Sequence, residues 1–241
     1  MKKIVSLILV FNLLFSPFTF VYGREEDRLE SLKEEMLYCD KQLENFHLIA
    51  KLMREMGYPD SHRIIQFCKK EYREAEHYKL LCLEEYDRLI WQIRYREYPI
   101  ASAVWELLKE NDFSDSVCAG ILGNFMTECG HQSLDLEPYI YSSDNNYYGL
   151  AQWSTYFYPQ VMNKDINEQI EFLISNIEDQ LNIYGDNYYY GFNYDLFIDL
   201  NDEQECAIAF AKCYERCSNA SYNQRKENAT TALEYFLDDI L

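Results

Sequence analysis

The chain has 241 residues, with 41 acidic side chains against 22 basic ones and a formal charge of −19. So negative a surface repels phosphate backbones, which argues against nucleic acid as a partner and leaves any hold on a wall polymer to stacking and hydrogen bonds. The length suffices for one good core plus an accessory element.

Residues 1–23 read as a signal peptide rather than as fold. Lys2 and Lys3 precede an apolar run from Ile4 to Phe15, and Val21-Tyr22-Gly23 suits a signal peptidase. The alternative is a retained membrane anchor, since Ile4–Tyr22 is nearly long enough to span a bilayer. The expectation is a secreted, wall-associated protein, membrane-anchored if the segment is kept. All eight cysteines lie beyond it, which in an exported chain favours disulfides over metal or redox chemistry. Cys129, His131, Cys206, Cys213 and Cys217 could gather around zinc. With no C-x-x-C or H-E-x-x-H pattern present, no metal or other cofactor is expected.

Residues 24–97 carry a helical pattern throughout. Leu29, Leu32, Met36, Cys39, Leu43, Phe46, Ala50 and Met53 recur at spacings of three and four, as in a coiled-coil seam. Gly57-Tyr58-Pro59-Asp60 stops that helix, because proline cannot continue the hydrogen-bond ladder. A second helix follows from Ser61, with Ile64, Cys68, Ala75, Tyr78, Cys82, Leu89 and Ile93 on its stripe. Closure as an antiparallel hairpin brings Cys39 near Tyr78 and Cys82, which suggests a Cys39–Cys82 disulfide. The hairpin reads as a spacer or docking stalk for a partner protein or surface, or else as a dimerising coiled coil.

Tyr98-Pro99 opens the second domain, residues 98–241. Ile100–Asn111 is amphipathic. Asp112–Ser114 caps a helix from Asp115 to Cys129, with Gly130 just past its end as a C′ residue. Asp165–Tyr184 is helical by periodicity, residues 185–200 form an aromatic loop, and Asn201 with Gln204 suggests a capping box for a helix through Glu215. A last helix covers about 223–241. Strand signals are nearly absent, so the fold class is mainly α, with at most a small β-hairpin around 139–152.

The helix ending at Glu128 is rich in small residues, and each of Gly120 and Gly123 costs roughly 1 kcal/mol of helix propensity. Another backbone approaching closely is the reason to accept that cost, which makes this helix central and buried. Glu128 sits at the negative pole of the helix dipole, and apolar neighbours such as Phe125, Met126 and Trp153 should further disfavour its ionisation. A carboxyl kept neutral is what a glycosidase needs to protonate a leaving oxygen. The plainer reading is that Glu128 pairs with Arg216 or Arg225. Downstream, Gly149-Leu150-Ala151-Gln152-Trp153 supplies a tight turn, an amide and an indole. These are groups that can bind an acetamido substituent and stack on a sugar face.

These motifs, in this order, resemble the phage-tail lysozyme-like domain, within the wider goose-lysozyme and lytic-transglycosylase-like group. AGILGN…E is followed by GLxQW, then by a helix like Gln169-Ile170-Glu171-Phe172-Leu173. Tyr214-Glu215-Arg216 matches a closing Tyr/Phe-Glu-Arg triplet, and Arg225 with Ala229 matches an Arg…Ala helix. The resemblance implies a lysozyme-like fold acting on peptidoglycan at the β-1,4 bond between N-acetylmuramic acid and N-acetylglucosamine. Glu128 then looks like the general acid and Gln152 like a substrate contact. Many relatives have serine where this chain has Cys129, which could instead be bonded to Cys217.

Asp135, Glu137 and Asp144 compete as a second carboxylate. Asp144 is the choice for positioning water, against a plain turn role. Trp153 and Tyr148 are the candidate stacking residues, with Tyr147 and Tyr188–Tyr190 behind them. Hydrolysis and lytic transglycosylation both fit. A Cys129/His131 peptidase pair does not, because such partners normally come from separate elements. A wall-binding or assembly module of a phage-like or conjugative apparatus, without catalysis, is the reading from another class.

Overall fold

The apolar stripes of residues 25–97 do close on each other. The structure, a computed structural model, describes residues 25–237. The proposed signal segment and the last four residues of the helix expected over 223–241 lie outside the described residues. Helix α1 (Glu25–Glu55) and helix α2 (Arg63–Glu97) run antiparallel. Arg28 bonds Glu85, Tyr78 bonds Glu35, and Lys79 bonds Asp40, while Phe46, Ala50 and Met53 pack on Ile65 and Cys68 near the turn. Leu29, Leu32, Cys39, Phe46, Ala50 and Met53 are buried as their spacing implies, whereas Tyr78 is half exposed and reaches the seam only through its hydroxyl.

Glu35 interrupts this seam. It is buried and accepts hydrogen bonds from Arg28 (2.8 Å), Ser31 (3.1 Å) and Tyr78 (2.5 Å). Burial pushes its carboxyl up, but the bonds from Tyr78, Arg28 and Ser31 outweigh burial and hold it below the ordinary value. Cys39 and Cys82 are both free thiols, so the expected disulfide is not present. The Cys82 sulfur faces Glu35 Oε2 at 3.6 Å instead, and its thiol is pushed up to about 11 by burial and then by that carboxylate.

The chain divides between Gln92 and Ile93 into two compact units. Sequence punctuation puts the boundary five residues later, at the Tyr98-Pro99 helix break. The last turn of α2 belongs to the second unit because its side chains bond there: Tyr95 to Glu106, Tyr235 to Glu97, with Arg94 over the rings of Tyr235 and Phe236.

The second unit is mainly α. It contains α3 (Pro99–Glu110), α4 (Asp115–Glu128), α5 (Ile166–Tyr184), α6 (Tyr194–Ile198), α7 (Glu203–Phe210) and α8 (Tyr222–Leu237). Its antiparallel ribbon pairs β1 (Tyr147–Tyr148) with β2 (Trp153–Ser154), Tyr148 facing Trp153. Ser114 caps α4 by accepting from the Val117 amide, and Asp165 with Glu168 forms a capping box on α5. The cap of α7 is Asp202, accepting from the Glu205 amide at 2.8 Å, one residue later than the Asn201–Gln204 pattern suggests. Residues 185–200 are not all loop, since they contain a 3₁₀ turn and α6.

Helix α4 is the hub, packed most extensively on α8 and α7. Its glycines explain how. A Cβ on Gly120 would stand 2.4 Å from Cys206 Cβ and 2.8 Å from the Ala207 nitrogen; one on Gly123 would stand 2.6 Å from the Ala229 nitrogen. Main chains of α7 and α8 therefore lie directly against α4. Gly130 follows the helix but keeps a negative φ, and the left-handed residues are His131 and Gln132. Gly130 is required because a Cβ would meet the Ser133 carbonyl at 2.4 Å.

Candidate active site

Helix α4 delivers Glu128 from its last turn, with the side chain 24% exposed in an otherwise closed neighbourhood. It pairs with Arg225, one of the two arginines that the plainer reading of the sequence named for it. Arg225 on α8, 2% exposed, donates through Nη2 to Glu128 Oε1 and through Nη1 to Glu215 Oε2 at 2.5 Å. Nη1 also reaches Asn124 Oδ1 at 2.5 Å, and Nε reaches Ser221 at 3.0 Å. One buried guanidinium thus holds two carboxyls and an amide. Removing one partner of such a buried pair costs about 3–5 kcal/mol.

The geometry of α7 places Glu215. After Phe210 the helix widens into a π turn over Ala211–Glu215, where the Arg216 amide bonds back to the Ala211 carbonyl, and Arg216 ends it in the left-handed region at φ 57°. Such wide turns often mark functional sites because they re-aim the side chains that follow. The Glu215 side chain is 4% exposed. Burial, and after it the Glu128 charge, push its carboxyl up to about 8 against the opposing pull of Arg225. Arg225 is itself raised: burial works against its charge, and Glu215 and Glu128 more than compensate.

Asn124 fixes the register of this network. Fully buried in α4, it donates to the Gly120 carbonyl at 2.7 Å and across to the Ala207 carbonyl at 3.0 Å. Asn228, one turn beyond Arg225, bonds Thr127 at 3.0 Å and adds a second polar tie between α8 and α4.

The Gly149–Trp153 strip has a separate brace. Gly149 turns at φ +81° and Gln152 at φ +44°. Buried Gln169 on α5 accepts from the Leu150 amide at 2.9 Å and donates to the carbonyls of Pro138 (2.8 Å) and Lys164 (3.0 Å). Gln152 is half-buried, and its amide nitrogen is committed to the carbonyls of Gly149 (3.0 Å) and Ile140 (3.3 Å) in its own loop. Trp153 is only 5% exposed. Its Nε1 donates to the Tyr214 hydroxyl at 3.0 Å and its ring meets Phe172 edge-on, so the indole is a core residue here rather than an open stacking face. Tyr148 is likewise buried, tilted on Tyr141. The structure thus joins Trp153 to the Tyr214-Glu215 segment, and Glu215 to Glu128.

Asp144 is fully exposed and organises its own turn, accepting from Ser142 (2.6 Å) and from the Asn146 amide (3.1 Å). The Ser142 bond is the main reason its carboxyl lies below the ordinary value. This is the turn role. Cys129 and Cys217 are free thiols, so the anticipated link between them is also missing. Cys129 is buried while His131 is exposed and turned to Glu137 at 3.3 Å, so the two form no dyad. Among the described residues, no group of three or more His, Cys, Asp or Glu side chains is placed to hold a metal ion, and no helix is long and apolar enough to cross a membrane.

Sequence reasoning missed Asn124 and Gln169 as site-building residues. The available signal was a lone amide within an otherwise apolar, glycine-bearing helix, and a glutamine on the buried stripe of α5. Glu215 stood out only through its motif, and nothing local shows that it meets Glu128.

The family model for phage tail lysozyme matches residues 99–236, and the chain belongs to that family. Neither among curated proteins nor among solved structures is there a significant match. Membership makes the function lysozyme-like and related to peptidoglycan, and suggests glycoside hydrolase or lytic transglycosylase activity.

Proposed function

We propose that this chain is a secreted enzyme that cuts peptidoglycan glycan strands at the β-1,4 bond between N-acetylmuramic acid and N-acetylglucosamine, with Glu128 as general acid. The observation that carries this reading is the part-open carboxyl of Glu128 at the end of the buried α4, held on Arg225. Protonated Glu128 gives its proton to the bridging oxygen as the C1–O bond breaks. The resulting carboxylate then takes a proton from an attacking water, leaving a reducing end, or from the sugar's own hydroxyl, leaving an anhydro end. Arg225 stabilises the carboxylate formed in the first step.

Within this reading Gln152 and the exposed rings around it contact the glycan, while Trp153 and Tyr148 shape the strip from beneath. Asp144 supports the turn carrying Tyr147, and the hairpin of α1 and α2 serves as a stalk or docking element. The test is mass analysis of muropeptides released by the mature protein and by Glu128→Gln. The parent should release glycan fragments with reducing or anhydro ends, and the variant should lose about 10²–10⁴-fold in rate. Equal clearing of walls by the variant, or release of cleaved peptides by the parent, overturns the assignment. A parent that binds walls without releasing any fragment is instead the inactive wall-binding module.

A further inference from the structure

Glu215 is a buried acid that the reaction just described does not use. Its Oε1 is buried and without a hydrogen-bond partner, while Oε2 accepts from Arg225. An ionised carboxylate leaves no oxygen unsatisfied in a protein interior without a large penalty. As a carboxylic acid the same oxygen becomes an O–H donor, and Glu128 on the same guanidinium is the acceptor beside it.

Charge gives the same answer. Arg225 with two ionised carboxyls leaves one uncompensated negative charge in a largely buried site, whereas one proton makes the trio neutral. From this geometry we propose that Glu128 and Glu215 share a single proton beneath Arg225, with Glu215 as the positioning residue that returns it to Glu128. This rests on Glu128 being the general acid. It also replaces Asp135, Glu137 and Asp144 as second carboxyl.

The cycle balances. Glu215 passes the shared proton to Glu128, which gives it to the leaving oxygen, so that both carboxyls are then ionised on Arg225. Glu128 then takes the proton released by the attacking water or sugar hydroxyl and hands it back to Glu215, which restores the pair. Glu215 is pushed up to about 8, mainly by burial, which keeps the shared proton in place at neutral pH. The titratable groups facing it are Glu128 and Cys129 at the end of α4, Tyr214 and Cys217 on its own segment, and Arg225 on α8.

Glu215→Gln mimics the neutral acid in shape and should fold. Infrared spectra of the parent at pH 7 should show a protonated-carboxyl band that this variant lacks, and the alkaline limb of its wall-lytic rate should move at least one pH unit lower. Absence of that band in the parent, or an unchanged limb, or a loss of rate equal at all pH values, overturns the proposal. Glu128→Gln assayed alongside separates the two ideas: an inactive Glu128→Gln with no such band in the parent ends the shared proton alone. An active Glu128→Gln ends both.

Discussion

Gly123→Ala tests whether the close approach of main chains in the second unit is what positions the site. The added Cβ would stand 2.6 Å from the Ala229 nitrogen and 2.8 Å from its Cα. Ordinary contact begins at 3.4 Å, so α4 and α8 must separate by about 0.8 Å. Backbone, unlike a long side chain, cannot swing aside. Overpacking costs about 1–3 kcal/mol, and this clash belongs at the upper end. Alanine returns about 1 kcal/mol of helix propensity, leaving a net loss of about 2 kcal/mol. For a chain of this size that lowers Tm by roughly 4–8 °C. Gly123 lies five residues before Glu128, and Ala229 four after Arg225, so the separation reaches the carboxyl–guanidinium contact directly. A misplacement near 1 Å can cost about 10²-fold in rate. The assay is chemical denaturation paired with wall-lysis rate. A variant as stable as the parent, or more stable, would show that propensity alone governs this position and refute the packing argument.

Gln169→Leu removes the partner of the buried Leu150 amide and of two carbonyls. It should destabilise by about 2–5 kcal/mol, since each unsatisfied buried group costs about 1–3 kcal/mol; a loss under about 0.5 kcal/mol by urea denaturation would show that the strip holds without its brace. Glu215 also predicts how stability varies with pH. Its carboxyl moves from 4.5 up to about 8 on folding. Between those values the native state keeps a proton that the unfolded chain has lost, so stability falls as pH rises through this window and levels off above it. The fall is of the order of a few kcal/mol, and Glu215→Gln should remove it. Parent and variant melting in parallel from pH 5 to 9 would contradict the assignment.

Local chemistry reached far into this fold. Apolar spacing located α1, α2 and α5, and Ser114 and Asp165 cap the helices that follow them, because such interactions span only a few residues. Gly120 and Gly123 announced a close approach without naming what approaches. The disulfides expected for Cys39–Cys82 and Cys129–Cys217 are absent because a pairing depends on where each sulfur points, and that of Cys82 points to Glu35. Trp153 was legible as an indole beside a glycine turn, but whether its face is open depended on Tyr214 and Phe172, 61 and 19 positions away.

Helix content, the family motifs and the presence of a glutamate at the end of α4 were all written in short stretches of residues. The company that acid keeps was not. Arg225 lies 97 residues from Glu128, and Glu215 meets both only after a π turn and the packing of α7 and α8 on α4. Periodicity and capping act within a turn or two of backbone. Burial and charge, which set the protonation of a carboxyl, sum over every neighbour that folding brings near.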